Sequence, residues 1–160
     1  LTKEHDLDEL ERVPPPGSLG TILKWGIPAL IIGLIVYGFT TADTIVSWEM
    51  IERWFWINGS LAALGSALAL AHPLTIGSAF IAAPFTSLNP AVAAGWVAGL
   101  VEVLLRRPQV RDFEGLMTDV QEFKGFWRNK ITRVLLVVVF ANLGSTIGTI
   151  TGGFAIASLL

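Results

Sequence analysis

The sequence predicts an all-α, polytopic helical membrane domain, with broken or re-entrant helices in its middle and an amphipathic helix at the interface. Three observations predict it. Only 15% of the 160 residues are charged while 52% are hydrophobic, against roughly 25% charged in an ordinary soluble domain. The charge is excluded from three long blocks, 25–42, 54–101 and 134–160. Within the last block Gly144, Gly148 and Gly152 recur every four residues, giving one helix a smooth face on which another backbone can pack closely.

Composition also excludes several functions. Eleven basic residues against thirteen acidic ones leave a net charge of −2, without the clustered basic surface of a nucleic-acid binder. There is no cysteine, so disulfides, thiolate zinc sites and cysteine nucleophiles are absent. Two histidines, His5 and His72, are too few for a histidine-rich metal centre. The chain itself is therefore expected to hold no metal and no cofactor, and, with no phosphate loop, Ser-His-Asp order or paired-carboxylate geometry in the sequence, no catalytic residue.

Residues 1–20 read as the end of an upstream soluble domain followed by a proline-rich linker, and 21–160 as the helical membrane domain. The run Pro14, Pro15, Pro16, Gly17 breaks any preceding helix, because proline lacks an amide hydrogen and glycine relaxes the backbone.

Trp25 to Ala42 is 18 uncharged residues, close to the roughly 20 needed to cross a ~30 Å hydrocarbon core. This is the first predicted span, with Pro28 near its start. Residues 43–53 mix Glu49, Glu52 and Arg53 with apolar residues at helical spacing and lead into Trp54 and Trp56, which suits a short interfacial segment ending in an aromatic belt.

The 48-residue block 54–101 carries no formal charge apart from His72 and is punctuated by His72-Pro73, Pro84 and Asn89-Pro90. It divides into predicted segments at 54–71, 73–88 and 90–105, the last starting at Pro90 after an Asn89 cap. Between Arg106 and Arg133 lie seven basic residues, and Val110, Phe113, Leu116, Val120, Phe123 and Trp127 recur every three or four positions. That pattern predicts an amphipathic interfacial helix over 108–128, followed by a last span over 131–158.

Basic loops stay in the cytoplasm. The flank holding Lys3, Arg12 and Lys24 and the loop 106–133 should therefore share the inner face, which requires an even number of crossings between them. Two arrangements satisfy this: one span plus a hairpin that enters and leaves by one face, or three short helices of about 15–17 residues, each roughly 22–26 Å long. The hairpin is preferred, and it carries Pro84 to Pro90 to membrane depth, where Thr86, Ser87 and Asn89 would have to satisfy free backbone groups.

The proline-rich linker, the segment Trp25-Gly26-Ile27-Pro28, HPLT at 72–75, APFTSLNP at 83–90, AAGWVAGLVE at 93–102 and NLGSTIG at 142–148 together resemble the C-terminal membrane domain of the TraB/PrgY family, the pheromone-shutdown proteins related to the Tiki group. The resemblance covers nearly the whole chain from about Glu9. It implies an upstream soluble domain, proposed to be a metal-dependent peptidase with paired Gly-x-x-His motifs, that acts on or sequesters peptide signals. No Gly-x-x-His occurs in this chain, so any divalent metal belongs to that upstream domain.

His72, Thr86, Ser87, Asn89, Glu102 and Asn142 are the candidates for a polar or ion site. Glu102 is the carboxylate inside an apolar helix, and intramembrane acids are costly enough to suggest ion binding or proton relay. Arg106, four residues on, offers a simpler role as its pairing partner. His72 precedes proline and suits a turn, against a titrating or metal-binding role. Asn142 falls near Ser145 and Thr146 and could join Asn58 and the 86–89 group in a pocket or in plain interhelical bonding. Gly95, Gly99, Gly144, Gly148 and Gly152 are the expected helix-packing positions. Five of six tryptophans fall at predicted helix ends, with Trp96 the exception.

Three functions follow as expectations. The first is an anchoring and oligomerising domain in the plasma membrane, with lipid, a second copy and the upstream domain as partners and peptide as a further one. The second is a small transporter or channel for ions or peptides around 72–90. The third is an intramembrane hydrolase using His72, Glu102 and a metal.

Overall fold

The computed structural model describes residues 18–41, 44–89 and 91–160. The linker at Pro14 to Gly17, Asp43 and the helix start expected at Pro90 lie outside the described residues. Every regular element among the described residues is a helix: α1 Ser18–Thr41, α2 Thr44–Leu68, α3 Pro73–Thr86, α4 Ala94–Arg106, α5 Val110–Glu114, α6 Leu116–Asp119, α7 Gly125–Arg128 and α8 Lys130–Ala157. Two of them, α1 from Gly20 and α8, are long and apolar enough to cross a membrane.

The centre is a pairing of α2 with α8. Trp54 lies against Gly152, Asn58 against Gly148, Leu61 and Ala62 against Gly144, and Gly65 against Phe140 and Ala141. The paired numbers rise on one helix as they fall on the other, so the two run antiparallel. The approach is possible because glycine has no side chain: a Cβ on Gly148 would stand 2.8 Å from the Asn58 Cα. Gly95 and Gly99 play the same part in α4, against Val138 and Asn142 of α8. The five predicted packing glycines are thus all covered from within the chain.

Helices α3 and α4 form a hairpin laid against this pair. Its ends, near His72 and Arg106, sit beside the C-terminal end of α2, and the end of α3 lies at the level of Trp54, whose Nε1 donates to the Pro84 carbonyl at 3.1 Å. Alanines fill its seams: Ala62, Ala83 and Ala94 meet near the tip, and Ala69, Ala71, Ala79, Ala98 and Ala141 with Val137 near the open end. Helix α1 joins through Ile31, which packs with Met50, Trp54 and Ile156.

Several expectations need correction. Within the stretch expected as a separate interfacial segment over 43–53, residues 44–53 are the first part of α2, with Ser47 and Met50 buried and Glu49 and Arg53 paired along the outer face at 2.6 Å. Pro28 lies well inside α1 rather than near its start. The segment expected from Pro90 begins instead at Ala94, because the Asn89 side chain accepts from the Ala91 amide at 3.0 Å and holds a turn there. Trp54 is buried rather than part of an exposed belt.

The amphipathic helix over 108–128 is broken into α5, α6 and α7. The chain folds back on itself there. Asn129 Nδ2 takes the Asp112 carbonyl at 2.8 Å and the Asp119 carboxylate at 3.0 Å, and Gly125 sits where any Cβ would strike the Asp119 carbonyl. These contacts withdraw a helical acceptor and bend the chain into a compact cap over the ends of α2 and α8. Trp127 fixes the cap by donating from Nε1 to the Leu68 carbonyl at 3.0 Å, and the Arg133 guanidinium bonds the Trp127 carbonyl.

Candidate functional site

The polar candidates separate into two places. At the open end of the hairpin Glu102 is fully buried. Its Oε2 accepts from the His72 amide at 2.9 Å and from the Thr75 hydroxyl at 2.6 Å, while Oε1 accepts from Arg106 Nε at 2.6 Å. Arg106 also donates from Nη2 to the Leu70 carbonyl at 3.0 Å. One carboxylate and one guanidinium therefore close the α2–α3 turn onto the end of α4. Leu70 has a φ of 56°, a left-handed conformation that glycine would adopt more readily.

His72 caps α3: its Nδ1 accepts from the Leu74 amide at 3.2 Å, with Pro73 following at the first helical position, where no amide hydrogen is needed. Its ring nitrogen at Nδ1 and both Glu102 oxygens are thus engaged by the protein's own donors. Bonds from the His72 amide, the Thr75 hydroxyl and Arg106 to one carboxylate give this corner the chemistry of a structural clasp.

The second place is deeper, where the hairpin tip meets α2 and α8. Asn58 is fully buried. It donates to Ser87 at 3.2 Å and to Thr149 at 3.1 Å, and accepts from Ser145 at 3.1 Å, joining three helical regions through one amide. Asn142 Oδ1 accepts the Gly95 amide at 2.7 Å, satisfying a donor of the first turn of α4 that would otherwise have no intrahelical partner. No buried side-chain polar atom among the described residues lacks a bond.

Beside this network lies a cleft of about 630 Å³ between α1, the hairpin tip and α8. Thr86, Ser87, Asn89 and Asn142 line it with Ser145 and Thr149, and Ile27, Trp96 and Ile150 supply apolar walls. Four of the six predicted residues thus come together, whereas His72 and Glu102 belong to the other corner. Trp96 is exposed along the cleft and does not pack into the core.

Thr75 and Thr149 were missed by sequence reasoning, since a lone threonine in an apolar helix carries no local signal. Asn129 was missed as well. Its signal was present: an asparagine directly before a new apolar run is a helix cap, and Asn129 Oδ1 accepts the Ile131 amide at 2.9 Å.

Residues 19–160 match the family described as TraB family protein, C-terminal domain. The chain belongs to the TraB family. It is similar to an uncharacterized protein of Methanocaldococcus jannaschii, 35% identical over 155 residues covering 92% of this chain. The chain spans about two-fifths of that relative's length, 39%. No solved structure matches it. What places this TraB-family domain is thus the pattern of residues running through α1 to α8.

Proposed function

We propose that this TraB-family domain is a membrane-embedded anchor that holds an upstream soluble domain at the cytoplasmic face of the plasma membrane. The observation that carries the reading is an inverted distribution of side chains. Apart from Glu102, Val137 and the cluster of Ile31, Met50, Trp54 and Ile156, the interior is built mainly from alanine, glycine, serine, threonine and asparagine, while Leu64, Leu68, Ile81, Phe85, Leu100, Leu104, Leu135, Leu143, Ile147 and Phe154 face outward. Water would penalise so much exposed apolar surface; lipid accepts it, and small buried residues let helices approach there.

Depth supports the same reading. Trp54, next to Arg53, packs on Gly152, and the 19-residue step from Arg133 to Gly152 along α8 rises about 29 Å. That matches the ~30 Å hydrocarbon thickness. The hairpin then enters and leaves by the face that carries the cap, its tip reaching the depth of Trp54, and its backbone groups are met by Trp54, Ser87 and Asn142 as a site without water requires.

The matched relative is longer than this chain, which supports a further domain in the whole protein. By family that domain is a metal-dependent peptidase or an inhibitor of peptide pheromones. Self-association would have to use exposed faces such as that of α1, since the glycine ladders are covered internally; light scattering of the detergent-solubilised chain tests it.

Single-cysteine labelling in sealed vesicles tests the topology, as the sequence has no native thiol. Cysteines at Lys24 and Arg128 are expected to label from one side and a cysteine at Arg53 from the other. Labelling of Lys24 and Arg128 from opposite compartments would overturn the arrangement.

A second reading, a small transporter or channel, is favoured by the cleft beside Asn58. Among the described residues its walls carry no charged side chain, so an uncharged solute fits better than an ion. Proteoliposomes showing no flux of small uncharged solutes, ions or short peptides would exclude it.

A further inference from the structure

The cap over 107–129 and the α2–α8 seam beneath it form one continuous surface. Val110, Phe113, Met117 and Phe123 are 60–79% exposed on the cap. Phe123 lies 5.3 Å from Trp127 between ring centroids, and Trp127 lies 6.3 Å from Phe140. Phe140 in turn lines an apolar groove of about 280 Å³ with Leu61, Leu64, Leu68, Leu143 and Ile147. The aromatic stack therefore runs from the cap down to the groove.

Charge at the two ends of the bundle differs in sign. Between Arg107 and Lys130 five basic residues stand against four acids, Asp112, Glu114, Asp119 and Glu122; of these Asp112 accepts the Gln109 amide and Asp119 accepts from Arg128 and Asn129. Arg107, Arg111, Lys124 and Lys130 have no bonded partner among the described residues. At the opposite end of the bundle Arg53 is paired with Glu49 and Glu52 stands exposed beside them.

We propose that the cap and groove together form a docking surface for an anionic phospholipid, whose acyl chain lies between α2 and α8 and whose headgroup meets Lys124, Arg107 and Arg111. The exposed aromatic and aliphatic side chains enter the headgroup boundary while the cations meet its negative surface, the usual division of labour at a membrane interface. The inference rests on the membrane reading above.

Electron spin resonance of spin-labelled lipids in vesicles holding the chain separates the two. Phosphatidylglycerol is expected to be immobilised about fivefold more strongly than phosphatidylcholine at low salt, the ratio given by one basic group near an anionic surface. The preference should vanish in ~1 M salt, where screening acts within about 3 Å. It should also vanish in the triple variant Arg107→Gln, Arg111→Gln, Lys124→Gln and persist in Lys124→Arg. An equal immobilised fraction for both headgroups would overturn the proposal. No immobilised lipid of either kind would overturn the membrane reading itself.

Discussion

The Glu102 carboxylate and the Thr75 hydroxyl, 27 residues apart, meet at 2.6 Å inside the hairpin. With His72 and Arg106 on the same carboxylate, the contact makes Glu102 the residue through which the two arms of the hairpin and the preceding turn are joined.

Removing that carboxylate leaves the Thr75 hydroxyl, the His72 amide and the Arg106 guanidinium without their acceptor. Glu102→Ala is expected to destabilise the domain by about 2–3 kcal/mol, the range for losing bonds to a charged group. Reversible unfolding in mixed detergent micelles measures it; a midpoint equal to wild type would show that the clasp contributes nothing.

Leu70 offers a change in the opposite direction. It is exposed and held at a φ of 56°, a conformation that costs a side-chain-bearing residue roughly 1–2 kcal/mol. Leu70→Gly should therefore be neutral or stabilising by up to about 1 kcal/mol, as the freer unfolded chain offsets part of the gain. A clear loss of stability in the same unfolding assay would contradict this.

The glycines should divide by what faces them. A Cβ on Gly148 would meet the Asn58 backbone at 2.8 Å, so Gly148→Ala must separate α2 from α8 and is expected to cost about 1–3 kcal/mol. Gly33 in α1 has nothing within 4 Å, and Gly33→Ala should raise stability by up to about 1 kcal/mol through helix propensity. Parallel melts of both variants check the contrast.

Asn58 spans three partners, and Asn58→Ala should cost more than Ser145→Ala, which removes one. Interhelical hydrogen bonds in membranes are worth about 0.6–2 kcal/mol each. The ranking, measured by unfolding of each single variant, is the informative result, and equal losses would mean that the amide does not act as the hub.

Asp119 gives a pH dependence. The Arg128 guanidinium, then the Asn129 amide, hold its carboxyl below the ordinary carboxylate range. Because the folded value lies below the unfolded one, its contribution is complete above the unfolded value and is lost as pH falls through the folded one. Trp127 fluorescence should report loosening of the cap in acid, with a flatter profile in Asp119→Asn.

Much of this was legible in the sequence. The TraB-family motifs lie in α1 through α8, and the uncharged blocks marked the long apolar elements, because exclusion of charge over 18 or more residues is a local property that composition records. The break at His72-Pro73 was legible for the same reason: proline acts on its immediate neighbours. The pairing of Glu102 with Arg106 followed from four-residue spacing on one helix.

The rest depended on contacts between distant residues. Periodicity over 108–128 could not reveal that Asn129 would reach back to Asp112 and Asp119 and break the helix into three. Asn58 looked like one polar residue among apolar ones until α8 brought Ser145 and Thr149 to it. The sequence by itself determined the all-α class, the order of the long apolar helices and where apolar surface accumulates, since these arise from local backbone preference and composition. Only the tertiary structure decided that the glycine ladders face inward, that His72 and Glu102 lie apart from the cleft, and that the cap folds back, because each requires knowing which backbone approaches which across tens of residues.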